Sequence, residues 1–165
     1  MARQSAVEPD LAVVHSTFVL ERNYPQTPER VFSAFSFAAK RRRWFTDSDH
    51  SDVELFEQDF RPGGTERLRY RFKEGTPLPG KVLTNEGIYQ DIVENRRIVM
   101  ATHMTLEGKP ISASLITIEL VPAENGTDLI CTHQGAFFEG SGGPEMREHG
   151  WKVLLDKLGK VLESE

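Results

Sequence analysis

The chain has 165 residues, a net charge of −5 and a single cysteine, Cys131. That length suits one domain that buries a core without disulfides or metals, and the acidic balance argues against general nucleic-acid affinity. One cysteine permits no internal disulfide and fits a reducing compartment.

Residues 1–11 are polar and mixed and read as a flexible N-terminal arm ahead of a single domain over 12–165. The opening "MARQSAVEPDLAVVHSTF" holds no apolar run of signal-peptide length. No stretch approaches the roughly 18 apolar residues of a membrane span. The expectation is a soluble, cytoplasmic protein with neither nucleic acid nor membrane as partner.

Val13 to Tyr24 alternates and is rich in β-branched and aromatic residues, which predicts a strand. Thr27 and Pro28 then supply a cap and a first helical residue, and Val31, Phe32, Phe35 and Ala38 recur at helical spacing. The helix runs into "FAAKRRRWF", which reads as a second short helix or turn. From Asp52 the period becomes two. "DVELFEQDF" ends at Arg61-Pro62-Gly63-Gly64, a strong turn signal. In "TERLRYRFK", Leu68, Tyr70 and Phe72 point one way and Arg67, Arg69, Arg71 and Lys73 the other. "TNEGIYQDIV" and "RIVMATHMT" predict a hairpin turning near Glu94-Asn95, and "ISASLITIELV" and "TDLICTHQGAF" another turning at "PAENG". After the loop "FEGSGGP", Pro144 to Ser164 reads as a long helix.

The order is strand, helix pair, six strands, long helix. This predicts an α+β fold in which a curved antiparallel sheet wraps one long helix. In that helix Gly150, Trp151, Leu154, Leu155, Leu158, Val161 and Leu162 share a broad face. Gly150 is therefore expected in close contact with a strand or a cavity, with Trp151 covering what lies beneath.

The segments "PERVFSAF", Trp44-Phe45, "FRPGGTERLRY", "GIYQDIVENRRIVM", "GTDLICTHQG" and "GWKVLLDKL" together resemble the START-like, or SRPBCC, superfamily of the helix-grip fold. Within it the chain is similar to the group named after the C-terminal domain of the activator of the ninety-kilodalton heat-shock protein ATPase. The resemblance runs from about Thr17 to Leu162. It implies a seven-stranded antiparallel sheet gripping the C-terminal helix, a short helix pair between strands 1 and 2, and a cavity that holds a small apolar or amphipathic molecule. It implies no single activity, since this fold carries many.

The histidines His15, His50, His103, His133 and His149 show no metal-ligand spacing, and Cys131 has no CxxC partner, so neither metal nor cofactor is expected. His133 shares a strand face with Leu129, Cys131 and Phe137, which favours a cavity-lining or ligand-contacting role over catalysis. There is no GxSxG, and a thiol in an apolar strand is usually inert. "EGSGGP" lacks the Lys-Ser or Lys-Thr of a phosphate loop and reads as a flexible loop. The run Lys40-Arg41-Arg42-Arg43 reads first as a solvated helix face, and second as a cationic rim for an anionic head group.

The expected ligand-binding set is Trp44, Phe45, Tyr70, Tyr89, Met100, Cys131, His133 and Trp151, with no catalytic residue assigned. Two alternatives stand beside it. One is a polyketide cyclase or aromatase using His133 and the tyrosines as acid or base. The other is a protein-interaction module or chaperone modulator, with a protein partner or a homodimer, using the basic run near Arg42.

Overall fold

A computed structural model describes residues 12–165. The arm expected over 1–11 lies outside the described residues. The elements follow as β1 (Val14–Tyr24), α1 (Pro28–Ser36), α2 (Ala38–Phe45), β2 (Ser51–Gln58), β3 (Thr65–Phe72), β4 (Val82–Val93), β5 (Arg97–Leu106), β6 (Lys109–Ala123), β7 (Gly126–Phe137) and α3 (Pro144–Glu163).

Local chemistry explains the boundaries. Thr27 Oγ1 accepts a hydrogen bond from the Arg30 amide at 3.3 Å, and Pro28 occupies the first helical turn. Phe37, extended at φ −94° and ψ 118°, ends α1 and begins α2, so the pair is two helices and not one. Asn95 turns β4 into β5 with φ 63°, a left-handed conformation that Asn tolerates.

All seven strands form one antiparallel sheet in the order β1-β7-β6-β5-β4-β3-β2. The last six are a meander, and β1 closes against β7. Register shifts at Val53/Leu55, Tyr89/Asp91 and Met104/Thr105 interrupt three pairings. Bulges of this kind bend strands and increase twist, which curves the sheet around α3.

The helix is gripped unevenly. Its C-terminal half buries Leu155, Leu158, Val161 and Leu162 in one core with Leu20 and Tyr24 of β1, Val31 and Phe35 of α1, and Leu129 and Cys131 of β7. The Tyr24 hydroxyl donates to the Leu155 carbonyl at 2.7 Å and pins helix to strand. The N-terminal half, from Met146 to Leu154, instead stands over a gap in front of the sheet. No described helix is long and apolar enough to cross a membrane.

Candidate functional site

The inward face of β3 begins with a charge. By alternation Glu66 shares a face with Leu68 and Tyr70, and it is buried. A buried carboxylate requires a partner. Arg41 of α2 supplies it, donating from Nε at 3.0 Å and from Nη2 at 2.8 Å. The Tyr89 hydroxyl donates to the same carboxylate at 2.6 Å. Gln58 Nε2 donates at 2.9 Å to the Tyr89 hydroxyl and at 2.7 Å to the Phe35 carbonyl. The guanidinium also lies over the Phe45 ring, 3.8 Å from its centroid. Burial, the largest single influence, would weaken the guanidinium's hold on its proton, but the charge and hydrogen bonds of Glu66 together with Tyr89 outweigh it and the Arg41 pKa rises. Burial likewise raises that of Tyr89.

Above this network lies a small inner chamber of about 20 Å³, room for one water-sized group. Arg41, Phe60, Tyr89, Ile98 and Met100 contribute to its walls. A shared wall of Phe45, Asn85, Thr102, Ile116 and Trp151 separates it from an outer cleft of about 870 Å³. The cleft lies between the N-terminal half of α3 and strands β3 to β6, floored by Leu68, Tyr70, Leu83, Met104 and Ile111. Its size suits a small organic ligand, and its lining is mainly apolar. On the shared wall, Asn85 Oδ1 is buried and accepts no hydrogen bond among the described residues. A ligand donor reaching that wall would meet an available acceptor.

Charged groups stand at two ends of the cleft. Asp47 and Asp49 lie on the loop after α2, where Lys157 Nζ donates to the Asp47 carbonyl. Arg147 lies near the start of α3. Its Nη2 donates to Ser112 Oγ at 2.7 Å, and its guanidinium sits 5.2 Å from the Phe137 ring centroid. Burial lowers the pKa of Arg147 and raises that of Tyr70, and each opposes the other's shift by charge.

The expected residues divide into two groups. Phe45, Tyr70, Tyr89, Met100 and Trp151 line the chamber or the cleft. Trp44, Cys131 and His133 line neither and are wholly buried in the core. The Trp44 indole donates to the Ala34 carbonyl at 2.8 Å, so its polar tip is satisfied by protein. Burial raises the Cys131 thiol to about 12. His133 is stacked on Phe18 at 4.7 Å and lies 6.0 Å from Phe137, with both ring nitrogens unpartnered among the described residues. Gly135 makes this possible, because a Cβ there would come within 2.8 Å of the Phe137 ring. Burial, with Arg147 adding to it, lowers the His133 pKa to about 4, so the ring is neutral near pH 7.

One expectation needs correction. The basic run is neither a uniform solvated face nor a rim. Arg41 is buried on Glu66, Lys40 and Arg42 approach Glu165 and Asp47 at 3.5 Å, and Arg43 donates to Ser164 Oγ. Helical period carries Arg41 inward with Trp44 and Phe45. Gly150, expected against a strand or a cavity, borders the cleft, and a Cβ there would meet nothing within 4 Å. The glycine that admits a close neighbour is Gly159, where a Cβ would lie 3.3 Å from the Tyr24 ring.

Glu66 and Arg147 were missed as site residues. Strand alternation marks Glu66 as inward from sequence alone. No local pattern distinguishes Arg147 from the other charges of α3.

The family model "Activator of Hsp90 ATPase homolog 1-like protein" matches residues 25–163. An uncharacterised protein from Rhizobium leguminosarum is 34% identical, with a TM-score of 0.86 over 93% of this chain and 98% of that one. A protein from Rhizobium loti is 43% identical, with a TM-score of 0.78 over 91% and 99%. At 17% identity, a solution structure from Aeromonas hydrophila described as AHSA1-like shares the fold, with a TM-score of 0.66 over 90% and 93%. No curated protein matches the chain.

Proposed function

The chain belongs to the Activator of Hsp90 ATPase homolog 1-like family, and from that premise we propose that it binds a small apolar or amphipathic molecule between α3 and the sheet. The family's fold, START-like, commonly binds hydrophobic ligands. The observation that carries the reading is the cleft of about 870 Å³ beside the hydrophobic core. Helix and sheet touch at one end and diverge at the other, so the opening belongs to the fold's geometry. Phe45, Tyr70, Tyr89, Met100 and Trp151 are the proposed ligand-binding set, with residues 12–165 acting as one binding domain. Burial of apolar surface supplies most of the affinity, and Asn85 helps to fix orientation.

The cytoplasm is the proposed compartment, in keeping with a lone, buried, unpaired cysteine. The enzymatic alternative loses its histidine, because His133 lines neither cavity. The interaction alternative keeps only part of its patch: Arg41 is buried on Glu66, while Arg42 and Arg43 stay exposed.

Nile red, a neutral apolar dye, tests the reading. Its emission should rise with wild-type protein. Gly150→Phe adds a ring at the cleft's border, where a Cβ meets nothing within 4 Å, and should abolish the rise while the protein stays folded. No rise with wild type, or an equal rise with Gly150→Phe, overturns the proposal.

A further inference from the structure

We propose that the ligand of the cleft is an anionic amphipath whose carboxylate is held by Arg147; the inference rests on the cleft-binding reading above. The argument begins with a contrast between two arginines. Arg41 is buried and fully answered: two hydrogen bonds to Glu66 and aromatic rings around its plane. Arg147 is part-buried on the cleft wall and meets no carboxylate among the described residues. Its protein partners are one neutral hydroxyl, Ser112, and one aromatic face, Phe137.

A guanidinium carries five donors in a planar fork, and one hydrogen bond to Ser112 leaves most of them unused. The fork matches a carboxylate bidentately, and charge-assisted bonds of that type are roughly twice as strong as neutral ones. Tyr70 is close enough for its hydroxyl to feel the arginine's charge, lies on the same cleft wall, and makes no hydrogen bond among the described residues. It offers an anion one more donor. The positive end of the α3 dipole lies at the same end of the helix.

The acids of the cleft do not compete for this place. The Asp47 carboxylate lies 3.5 Å from Arg42 and accepts from Thr46 Oγ1, and its backbone carbonyl accepts from Lys157. Lys157 follows Arg147 by ten residues, about 15 Å along the helix. The cleft is thus polarised, with an unanswered cation at one end, an acidic loop at the other, and apolar side chains between. A carboxylate at Arg147 leaves its tail against Met104, Ile116 and Trp151. One unanswered cation at this end, with Lys157 engaged by the acidic loop at the other, suits a monoanion better than a phosphate dianion.

The test compares decanoate with the alcohol of the same chain length by calorimetry. Wild type should bind decanoate at least about tenfold more tightly, a difference of about 1.4 kcal/mol. Arg147→Gln should bring the two within about threefold of each other, and Arg147→Lys should keep part of the preference. Urea unfolding of Arg147→Gln, cooperative and with a midpoint near that of wild type, shows that the variant folds. Equal wild-type affinity for acid and alcohol, or an undiminished preference in Arg147→Gln, overturns the carboxylate site while leaving the cleft reading standing. Failure of both decanoate and Nile red to bind wild type overturns the cleft reading and this inference together.

Discussion

The Arg41 guanidinium, on a helix, and the Glu66 carboxylate, on the strand facing it, are joined by hydrogen bonds of 3.0 and 2.8 Å with both side chains buried. Removing one member of such a pair leaves an unanswered buried charge, which typically costs about 3 to 5 kcal/mol. Glu66→Gln should therefore lower stability by about that amount in a urea titration. Arg41→Met combined with Glu66→Leu should recover much of the loss, because both desolvation penalties disappear together. A double variant less stable than the sum of the singles would overturn this account.

His133 makes stability depend on pH. Its folded pKa is about 4 against an ordinary 6.5. Above pH 6.5 the ring is neutral whether folded or unfolded, and its contribution to stability is complete. As pH falls from 6.5 towards 4, the unfolded chain takes up the proton and the folded one does not, so stability is lost. The loss is of order 2 kcal/mol by about pH 5. His133→Leu should flatten this part of the profile, measured as urea midpoints at several pH values. An unchanged slope would place the dependence on other groups.

The two helical glycines should respond differently to alanine. At Gly150 a Cβ meets open space, so Gly150→Ala should stabilise by about 0.5 to 1 kcal/mol. At Gly159 it would press on the Tyr24 ring at 3.3 Å, and that ring is held by its hydroxyl on the Leu155 carbonyl. Gly159→Ala should gain less or lose stability. Thermal unfolding of the two variants separates them, and equal gains would show that Tyr24 yields freely.

The chain's two tryptophans should report on different places. Trp151 borders the cleft, whereas Trp44 is buried in the core with its indole bonded to the Ala34 carbonyl. Binding of decanoate should shift the emission of Trp44→Phe, in which Trp151 remains. It should leave Trp151→Phe nearly unchanged and weaken binding by that variant. A response carried by Trp44 alone would contradict the placement of the ligand.

The sequence by itself determined the order of elements, the meander and the closing helix. Those features depend on local periodicity: period two in "TERLRYRF", helical spacing in "VFSAF", and turn chemistry at Asn95. It also carried the inward direction of Tyr70, Tyr89, Met100, Cys131 and His133, because alternation assigns a face. Alternation does not say what that face meets. Tyr70 opens on the cleft while His133 is enclosed by Phe18 and Phe137, and the difference lies in where α3 touches the sheet and where it stands off. The same distinction separates Trp151 from Trp44, and Gly150 from Gly159. Only the tertiary structure could show that, among the described residues, Arg41 finds a carboxylate and Arg147 does not. The worth of a buried charge depends on partners distant in sequence, and no local pattern encodes them.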